Sequence, residues 1–181
     1  MQDKQFNGAA EQLRSPARLT LMEIARVVEL SLENISAHTV LDVGTGTAVF
    51  AEAFARMGLD VSGVDSNPQL LDIARSYLPH ADFQVACADE LPFKDKEFDL
   101  VFLGHVLHET PDPLSALKDA RRVARLRVAI LEWPYYSEEQ GPPLAHRLSP
   151  SILSKLARQA GFPGIEHINL EHMDFYRLVA V

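Results

Sequence analysis

The sequence is poor in cysteine and contains no long apolar run. Its 181 residues include one cysteine, Cys87, so neither a disulfide framework nor a cysteine-based zinc site can form within one chain. This cysteine usage is typical of a reducing cytoplasm, where we expect the protein to reside. No stretch approaches the roughly 20 apolar residues that cross a bilayer, and residues 1–16 lack the apolar core of a secretory signal. We therefore expect no membrane partner.

Basic residues are outnumbered by acidic ones. The chain has 17 Lys and Arg against 25 Asp and Glu, which gives a formal net charge of −8. Nucleic-acid binding requires a net basic face, so this balance argues against it, although a local basic patch remains compatible with the composition. Hydrophobic residues make up 47% and charged residues 23%, as in ordinary globular proteins. The length suits one domain, and we expect a monomer or a homodimer.

Strands and helices alternate along most of the chain. Short apolar runs predict strands over 38–43, 59–65, 81–87, 98–104 and 127–133. Helical spacing and end signals predict helices over Pro16 to about Leu32, Ala48–Met57, Pro68–Tyr77 and Pro113 to about Arg122. This alternation is typical of a parallel sheet with right-handed crossovers.

The last part of the chain changes this rhythm. Ser149-Pro150 opens a helix that stops at Gly161, and strands are then predicted over 164–172 and 174–181. Only Met173 separates these two strands, and a link that short permits only an antiparallel hairpin. The sheet is therefore predicted to be mostly parallel, with an antiparallel strand near one edge.

The stretch "VLDVGTGTAVF", residues 40–50, runs from a predicted strand through two glycines into a predicted helix. Glycines such as Gly44 and Gly46 let the backbone approach a ligand, and the helix start offers free N–H groups. This arrangement favours a nucleotide-binding turn. The alternative is a tight turn in which the glycines only supply positive φ angles.

Acidic residues follow the first three predicted strands. Asp65 ends the second strand about 20 residues beyond the glycine turn, where an acid can bind both ribose hydroxyls, and Asp89 and Glu90 follow the third. Asp42 precedes the glycines and would repel a pyrophosphate, while Val49 occupies the last position of the dinucleotide-binding motif. The sequence therefore favours a nucleoside with an amine-bearing group and no phosphate at this turn.

Five motifs together resemble a known family. In order they are "VLDVGTGTA", "VSGVDSNPQLLDIAR", "ACADELPF", "FDLVFLGHVLHE" and "LSPSILSKLARQAGF". They resemble class I S-adenosylmethionine-dependent methyltransferases, most closely the type 11 group, which includes quinone-biosynthesis-like small-molecule methyltransferases. The resemblance implies a Rossmann-like, doubly wound, seven-stranded α/β sheet with an antiparallel C-terminal strand. It divides one domain, 1–181, into an N-terminal helical cap, 1–37, and a core, 38–181.

The same resemblance implies a set of residues that bind S-adenosylmethionine. These residues are Asp42, Gly44, Thr45, Gly46, Asp65, Ser66, Ala88, Asp89, Glu90, Gly104 and His105. In this family Asp65 takes the ribose hydroxyls, Asp89 faces the adenine amino group, and the glycines near Asp42 face the methionine part. The N-terminal segment often covers the cofactor, so Arg18 or Arg14 could pair with the methionine carboxylate. A solvated helix face is the alternative for these two arginines.

Candidate catalytic residues follow the fourth predicted strand. His105 or His108 could act as a base if the methyl acceptor must lose a proton, since histidine titrates near neutrality. The alternative is a polar helix start or a surface pair. A metal site is not expected, because no third ligand accompanies this His-x-x-His spacing.

The end of the fifth predicted strand suggests an acceptor pocket. Glu132, Trp133, Tyr135 and Tyr136 lie there and could line a pocket for a flat or apolar acceptor, with core packing as the alternative. The predicted function is methyl transfer from S-adenosylmethionine to an unidentified small molecule. A cofactor-binding regulatory or partner protein without catalysis remains open, whereas a nicotinamide-dependent oxidoreductase is disfavoured by Asp42 and the incomplete glycine motif.

Overall fold

A seven-stranded sheet forms the centre of the computed structural model, which describes residues 10–137 and 140–180. The strands are β1 (Thr39–Val43), β2 (Asp60–Asp65), β3 (Asp82–Val85), β4 (Phe98–Gly104), β5 (Ala124–Glu132), β6 (Ile165–Asn169) and β7 (Asp174–Val179). Residues 1–9 of the predicted cap and Val181 of the last predicted strand lie outside the described residues.

The strand order is β3-β2-β1-β4-β5-β7-β6. The first five strands pair in parallel, and β7 is antiparallel to both β5 and β6. The predicted doubly wound sheet with its antiparallel C-terminal strand is therefore confirmed. Because β1 and β4 lie side by side where the order reverses, their carboxyl ends border the crevice in which such sheets bind ligands.

Helices cover both faces of the sheet. They are α1 (Ala10–Leu13), α2 (Pro16–Leu21), α3 (Ile24–Leu32), α4 (Val49–Arg56), α5 (Pro68–Tyr77), α6 (Pro113–Val123) and α7 (Pro150–Gln159). Alternate residues of a strand face opposite sides, so Leu100 and Phe102 pack with α3, α4 and α5, whereas Val101 and Leu103 pack with α6 and α7. None of the helices within the described residues is long and apolar enough to cross a membrane.

The continuous N-terminal helix predicted from Pro16 to Leu32 is wrong. The chain breaks between α2 and α3 at Glu23, whose backbone is left-handed with φ of 44°. The Glu23 carboxylate accepts hydrogen bonds from the backbone N–H groups of Glu171 and His172, at 2.8 and 3.3 Å. This contact with the loop between β6 and β7 accompanies the break, and helical spacing within the segment cannot reveal it.

Candidate functional site

The turn after β1 has an unusual backbone. Gly44, Gly46 and Ala48 all adopt left-handed conformations, with φ of 66°, 55° and 66°. A Cβ atom on Gly44 would lie 2.3 Å from Cγ2 of Val106, so only glycine fits against the loop that follows β4. Ala48 adopts the same conformation with a side chain, which costs about 1 kcal/mol. Strained backbone of this kind is often found at ligand sites.

Asp42 lies buried beneath this turn with 3% of its surface exposed. Its carboxylate accepts a hydrogen bond of 2.8 Å from the Thr45 hydroxyl. Burial raises the pKa of Asp42 to about 7, although the Thr45 hydrogen bond acts in the opposite direction. A carboxyl group in this state would ionise readily beside a cationic group.

Asp65, at the carboxyl end of β2, faces the same turn. It accepts hydrogen bonds from the backbone N–H groups of Gly46 and Asn67, each at 2.8 Å. Burial raises the pKa of Asp65, and these two hydrogen bonds oppose that shift. Asn67 in turn caps α5 through the backbone N–H of Gln69 at 2.9 Å. The second strand therefore delivers a carboxylate next to the glycine turn.

Two cavities meet at this edge of the sheet. The larger, of about 300 Å³, is lined by nine of the predicted residues: Arg18, Gly44, Gly46, Asp65, Ser66, Ala88, Asp89, Gly104 and His105. The smaller, of about 70 Å³, adds Asp42 and Thr45. Of the predicted cofactor set, Glu90 lines neither cavity and is exposed. The structure thus brings eleven of the twelve residues together around one crevice.

The N-terminal helices close one side of the cavities. Arg14 donates hydrogen bonds to the Thr47 carbonyl at 2.5 Å and the Glu52 carboxylate at 2.6 Å, and its guanidinium lies 3.4 Å from the centre of the Tyr77 ring. These contacts fix α1 and α2 over the glycine turn, so that Leu13 lines both cavities. No local pattern predicts this role for Leu13, because its contact with Gly46 spans more than 30 residues.

Comparison with known proteins agrees with this geometry. A family model described as "Methyltransferase domain" matches residues 41–129. A crystal structure described as a SAM-dependent methyltransferase from Aquifex aeolicus superposes with a TM-score of 0.85, covering 95% of this chain and 97% of that one, at 22% identity. Residues 41–129 match a methyltransferase domain family, and the chain has the fold of S-adenosylmethionine-dependent methyltransferases.

Two further comparisons set the limits of this identification. Demethylmenaquinone methyltransferase of Thermotoga maritima is 37% identical over 111 residues, which cover 59% of this chain and 48% of that protein. Phosphoethanolamine N-methyltransferase 2 of Haemonchus contortus, solved with S-adenosyl-L-methionine, superposes with a TM-score of 0.74 at 14% identity, covering 92% of this chain and 57% of that one. The chain spans about half the length of the curated relatives it matches, and the solved structures show its fold.

Two histidines of the chain, three positions apart, have opposite environments. His105 has a left-handed backbone with φ of 60°, is 8% exposed, and lines both cavities. Within the described part of the chain, neither of its ring nitrogens has a hydrogen-bond partner. Burial, followed by the positive charge of Arg18 and by His108, lowers the pKa of His105 well below its ordinary value. His105 is therefore neutral and has unused hydrogen-bonding capacity.

His108 is instead held in an ion pair. Its Nδ1 lies 2.7 Å from the carboxylate of Glu132, which is 1% exposed and also accepts from the backbone N–H groups of His108 and Trp133 at 3.2 and 3.3 Å. Burial lowers the pKa of His108, but the charge and hydrogen bond of Glu132 outweigh it, so that the pKa is raised. His108 lines neither cavity.

The four predicted acceptor-pocket residues do not line the cavities either. Glu132 is engaged with His108, and Trp133 is buried between His105, at 5.1 Å between ring centres, and the Arg147 guanidinium at 5.4 Å. Tyr135 and Tyr136 are about half exposed. Trp133 thus packs behind His105 rather than forming a pocket floor. Across residues 10–137 and 140–180, no three His, Cys, Asp or Glu side chains are grouped to hold a metal ion.

Proposed function

We propose that this methyltransferase binds S-adenosylmethionine in the two joined cavities and transfers its methyl group to a small-molecule acceptor. The observation that carries the proposal is the pairing of a nucleoside-sized crevice, edged by Asp65 and Asp89, with a smaller one that ends on buried Asp42. S-adenosylmethionine supplies a methyl group on a positively charged sulfur, which needs no further activation before a nucleophile attacks.

The larger cavity fits the adenosine part. The Asp65 carboxylate projects from the end of β2, where its oxygens can accept from ribose hydroxyls in place of one of its present backbone contacts. Ala88 and Asp89 lie on the wall beyond it, where the Asp89 carboxylate can accept from the adenine amino group. Glu90, which is exposed and outside the cavity, has no part in this proposal.

The smaller cavity fits the amino-acid part. Asp42 is buried, its pKa is raised to about 7, and an ammonium group beside it would favour the charged carboxylate. Arg18 lines both cavities and can pair with the carboxylate of the same ligand. The close packing of Gly44 against Val106 leaves the turn with no side chain that would fill this space.

The relatives support a small acceptor. Demethylmenaquinone methyltransferase of Thermotoga maritima, by its name, methylates a quinone-related compound, and this favours a flat organic acceptor over a macromolecule. The acidic net charge of −8 also disfavours nucleic acid. A binding protein without catalysis is the alternative, and transfer of a labelled methyl group to a panel of phenols, quinols, amines and carboxylates separates it from an enzyme.

Calorimetric titration tests the ligand directly. S-adenosylhomocysteine is expected to bind the wild-type chain, and NAD is not; binding of NAD alone would reject the proposal. Asp65→Ala is expected to weaken S-adenosylhomocysteine binding by about 1–3 kcal/mol, because a charged hydrogen-bond acceptor is removed. Asp60→Ala, at the opposite end of the same strand, is the matched control and should leave the affinity unchanged.

A further inference from the structure

Packing, rather than hydrogen bonding, sets the direction of the His105 ring. The backbone N–H of His105 donates to the Leu131 carbonyl at 2.8 Å, which fixes the main chain just after β4. Within residues 10–137 and 140–180, however, neither ring nitrogen has a hydrogen-bond partner. The Trp133 ring lies 5.1 Å from the imidazole, with the two planes at 59°. The orientation of the imidazole therefore depends on where Trp133 lies.

Trp133 is in turn enclosed by the loop that follows β5. It is buried, with 6% of its surface exposed. A Cβ atom on Gly141 would lie 2.6 Å from Cε3 of Trp133, and Gly141 has φ of 86°, so only glycine lets the loop approach the indole this closely. The guanidinium carbon of Arg147 lies 5.4 Å from the centre of the Trp133 ring. The loop therefore holds the indole that packs against His105.

Arg147 gathers this loop around one buried side chain. Its guanidinium donates hydrogen bonds of 2.6–3.1 Å to four main-chain carbonyls, those of Pro134, Tyr136, Gln140 and Pro142. A guanidinium can bind several carbonyls and an aromatic face at once, because its five N–H groups form a rigid planar fork, whereas a lysine ammonium is a single compact donor. The position of Trp133 thus depends on an arginine further along the chain.

The direction of the His105 ring matters at the junction of the two cavities. Six residues line both cavities, namely Leu13, Arg18, Gly44, Gly46, Gly104 and His105. His105 carries the only ring among these six, so a turn of its imidazole widens or narrows the junction. With the adenosine part of the ligand in the larger cavity and the amino-acid part in the smaller, the junction receives the sulfur and its methyl group.

We propose that Trp133 and Arg147 are positioning residues of the methyl-donor site, which hold the His105 ring at the junction and thereby place the sulfur of S-adenosylmethionine. This inference rests on the proposed function. Neither Trp133 nor Arg147 lines the two cavities, so both act through the imidazole. The loop after β5, where the sequence predicts an acceptor pocket, thus supports the donor instead.

Fluorescence tests the contact directly, because Trp133 is the only tryptophan in the chain. Binding of S-adenosylhomocysteine should change the emission of the wild-type protein, since the ligand contacts the ring against which the indole packs. Without ligand, the emission of Arg147→Lys should move to longer wavelength as water reaches the indole. Arg122→Lys is the matched control, since Arg122 also donates to two main-chain carbonyls but at the amino end of the sheet, and its emission should match wild type.

The affinity for S-adenosylhomocysteine shows whether the contact matters for the ligand. Trp133→Leu leaves room for the imidazole to turn, so calorimetry should show binding that is roughly fivefold weaker, the equivalent of one aromatic contact. Arg147→Lys should weaken binding by a similar factor, whereas Trp133→Phe keeps a ring and should retain most of the affinity. Phe98→Leu, which removes another ring of 6% exposure at the amino end of the sheet, is the matched control. It should lower the free energy of unfolding in urea and leave the affinity unchanged.

The outcomes separate this inference from the proposed function. If S-adenosylhomocysteine does not bind the wild-type protein, the proposed function itself fails. If it binds, but Trp133→Leu and Arg147→Lys keep the wild-type affinity, the positioning role is overturned. It is also overturned if Phe98→Leu or Arg122→Lys weakens binding as much, since the loss would then follow from reduced stability alone. If Trp133→Leu and Arg147→Lys do not fold, the wild-type emission decides, and an emission that stays the same on binding overturns the inference.

Discussion

An aspartate is buried at each end of the parallel sheet, and the pKa values of the two aspartates are shifted in opposite directions. Asp99, at the amino end of β4, accepts from the backbone N–H groups of His38 and Thr39, at 2.9 and 3.2 Å, and pairs with Arg125. Burial alone would raise its pKa, but these contacts outweigh it and lower the pKa. Asp42, at the carboxyl end of β1, has the Thr45 hydroxyl and a pKa raised to about 7.

The difference separates stability from function within one sheet. At the amino end, buried polar groups are matched to partners that hold loops and strands together. At the carboxyl end, the structure tolerates a poorly solvated carboxyl group on Asp42 and unsatisfied imidazole nitrogens on His105. Local departures of this kind are expected where a site is built for a ligand rather than for the fold.

The largest predicted effect concerns Asp99, the aspartate with several hydrogen-bond partners at the amino end of the sheet. Asp99→Asn should lower the free energy of unfolding by about 3 kcal/mol at neutral pH, since it removes a buried charge that several donors solvate. Because the folded pKa of Asp99 is lowered, its contribution is present above the ordinary pKa and is lost as the pH falls through the folded pKa. Urea unfolding at neutral and acidic pH measures both effects.

The same substitution at Asp42, at the carboxyl end of the sheet, should raise the free energy of unfolding rather than lower it. Asp42 has a folded pKa of about 7 against an ordinary 3.8, so stability falls as the pH rises between these values. Asp42→Asn should therefore be as stable as wild type near pH 4 and more stable above pH 7, since the amide has no charge to bury. A loss of stability at Asp42→Asn as large as that of Asp99→Asn would refute the contrast between the two ends.

A pair of glycines, one at each end of the sheet, sharpens the comparison. Gly44→Ala should destabilise the fold by about 2–3 kcal/mol, because its Cβ would overlap Val106 and its φ is positive. Gly58, before β2 at the amino end, has φ of 86° but nothing within 4 Å of a Cβ. Gly58→Ala should cost only about 1 kcal/mol from backbone strain. If urea unfolding shows equal losses of stability for the two variants, Val106 must be able to move away from the new Cβ atom at little cost.

The smallest predicted effect concerns two left-handed residues with side chains. Ala48→Gly at the carboxyl end and Lys96→Gly at the amino end should each change stability by about 0.5 kcal/mol in the stabilising direction, since relief of strain slightly exceeds the entropy cost of glycine. Thermal unfolding of both variants checks this. A clear loss of stability in Ala48→Gly would show that packing of the Ala48 methyl group stabilises the fold by more than the backbone strain costs.

Sequence patterns predicted the sheet and most of the site, because the signals that define these elements lie within short stretches of the chain. β4 and α5 have the predicted bounds, because their apolar runs and the Asn67 cap lie within the elements themselves. Asp42, Asp65 and Asp89 were expected at one edge because parallel strands end on the same side. The crevice lined by these residues follows from that rule alone.

Features set by distant partners could not be predicted. Arg122 lies in the last turn of α6 and binds the carbonyls of Leu91 and Phe93, and Arg125 pairs with Asp99, 26 positions away. His105 and His108 are indistinguishable by spacing, and only Glu132, 24 positions beyond His108, separates their roles. Pairing across strands decides such cases, and a single sequence does not contain it.

At the carboxyl end of the sheet, Asp42 should stay mostly uncharged near pH 6 until an ammonium group binds beside it. Calorimetric titration with S-adenosylhomocysteine near pH 6, in buffers of different ionisation enthalpy, measures the protons exchanged on binding. We expect release of up to about one proton per ligand as Asp42 ionises, and no release for Asp42→Asn. Binding without proton release in the wild-type chain, or equal release in Asp42→Asn, would contradict it.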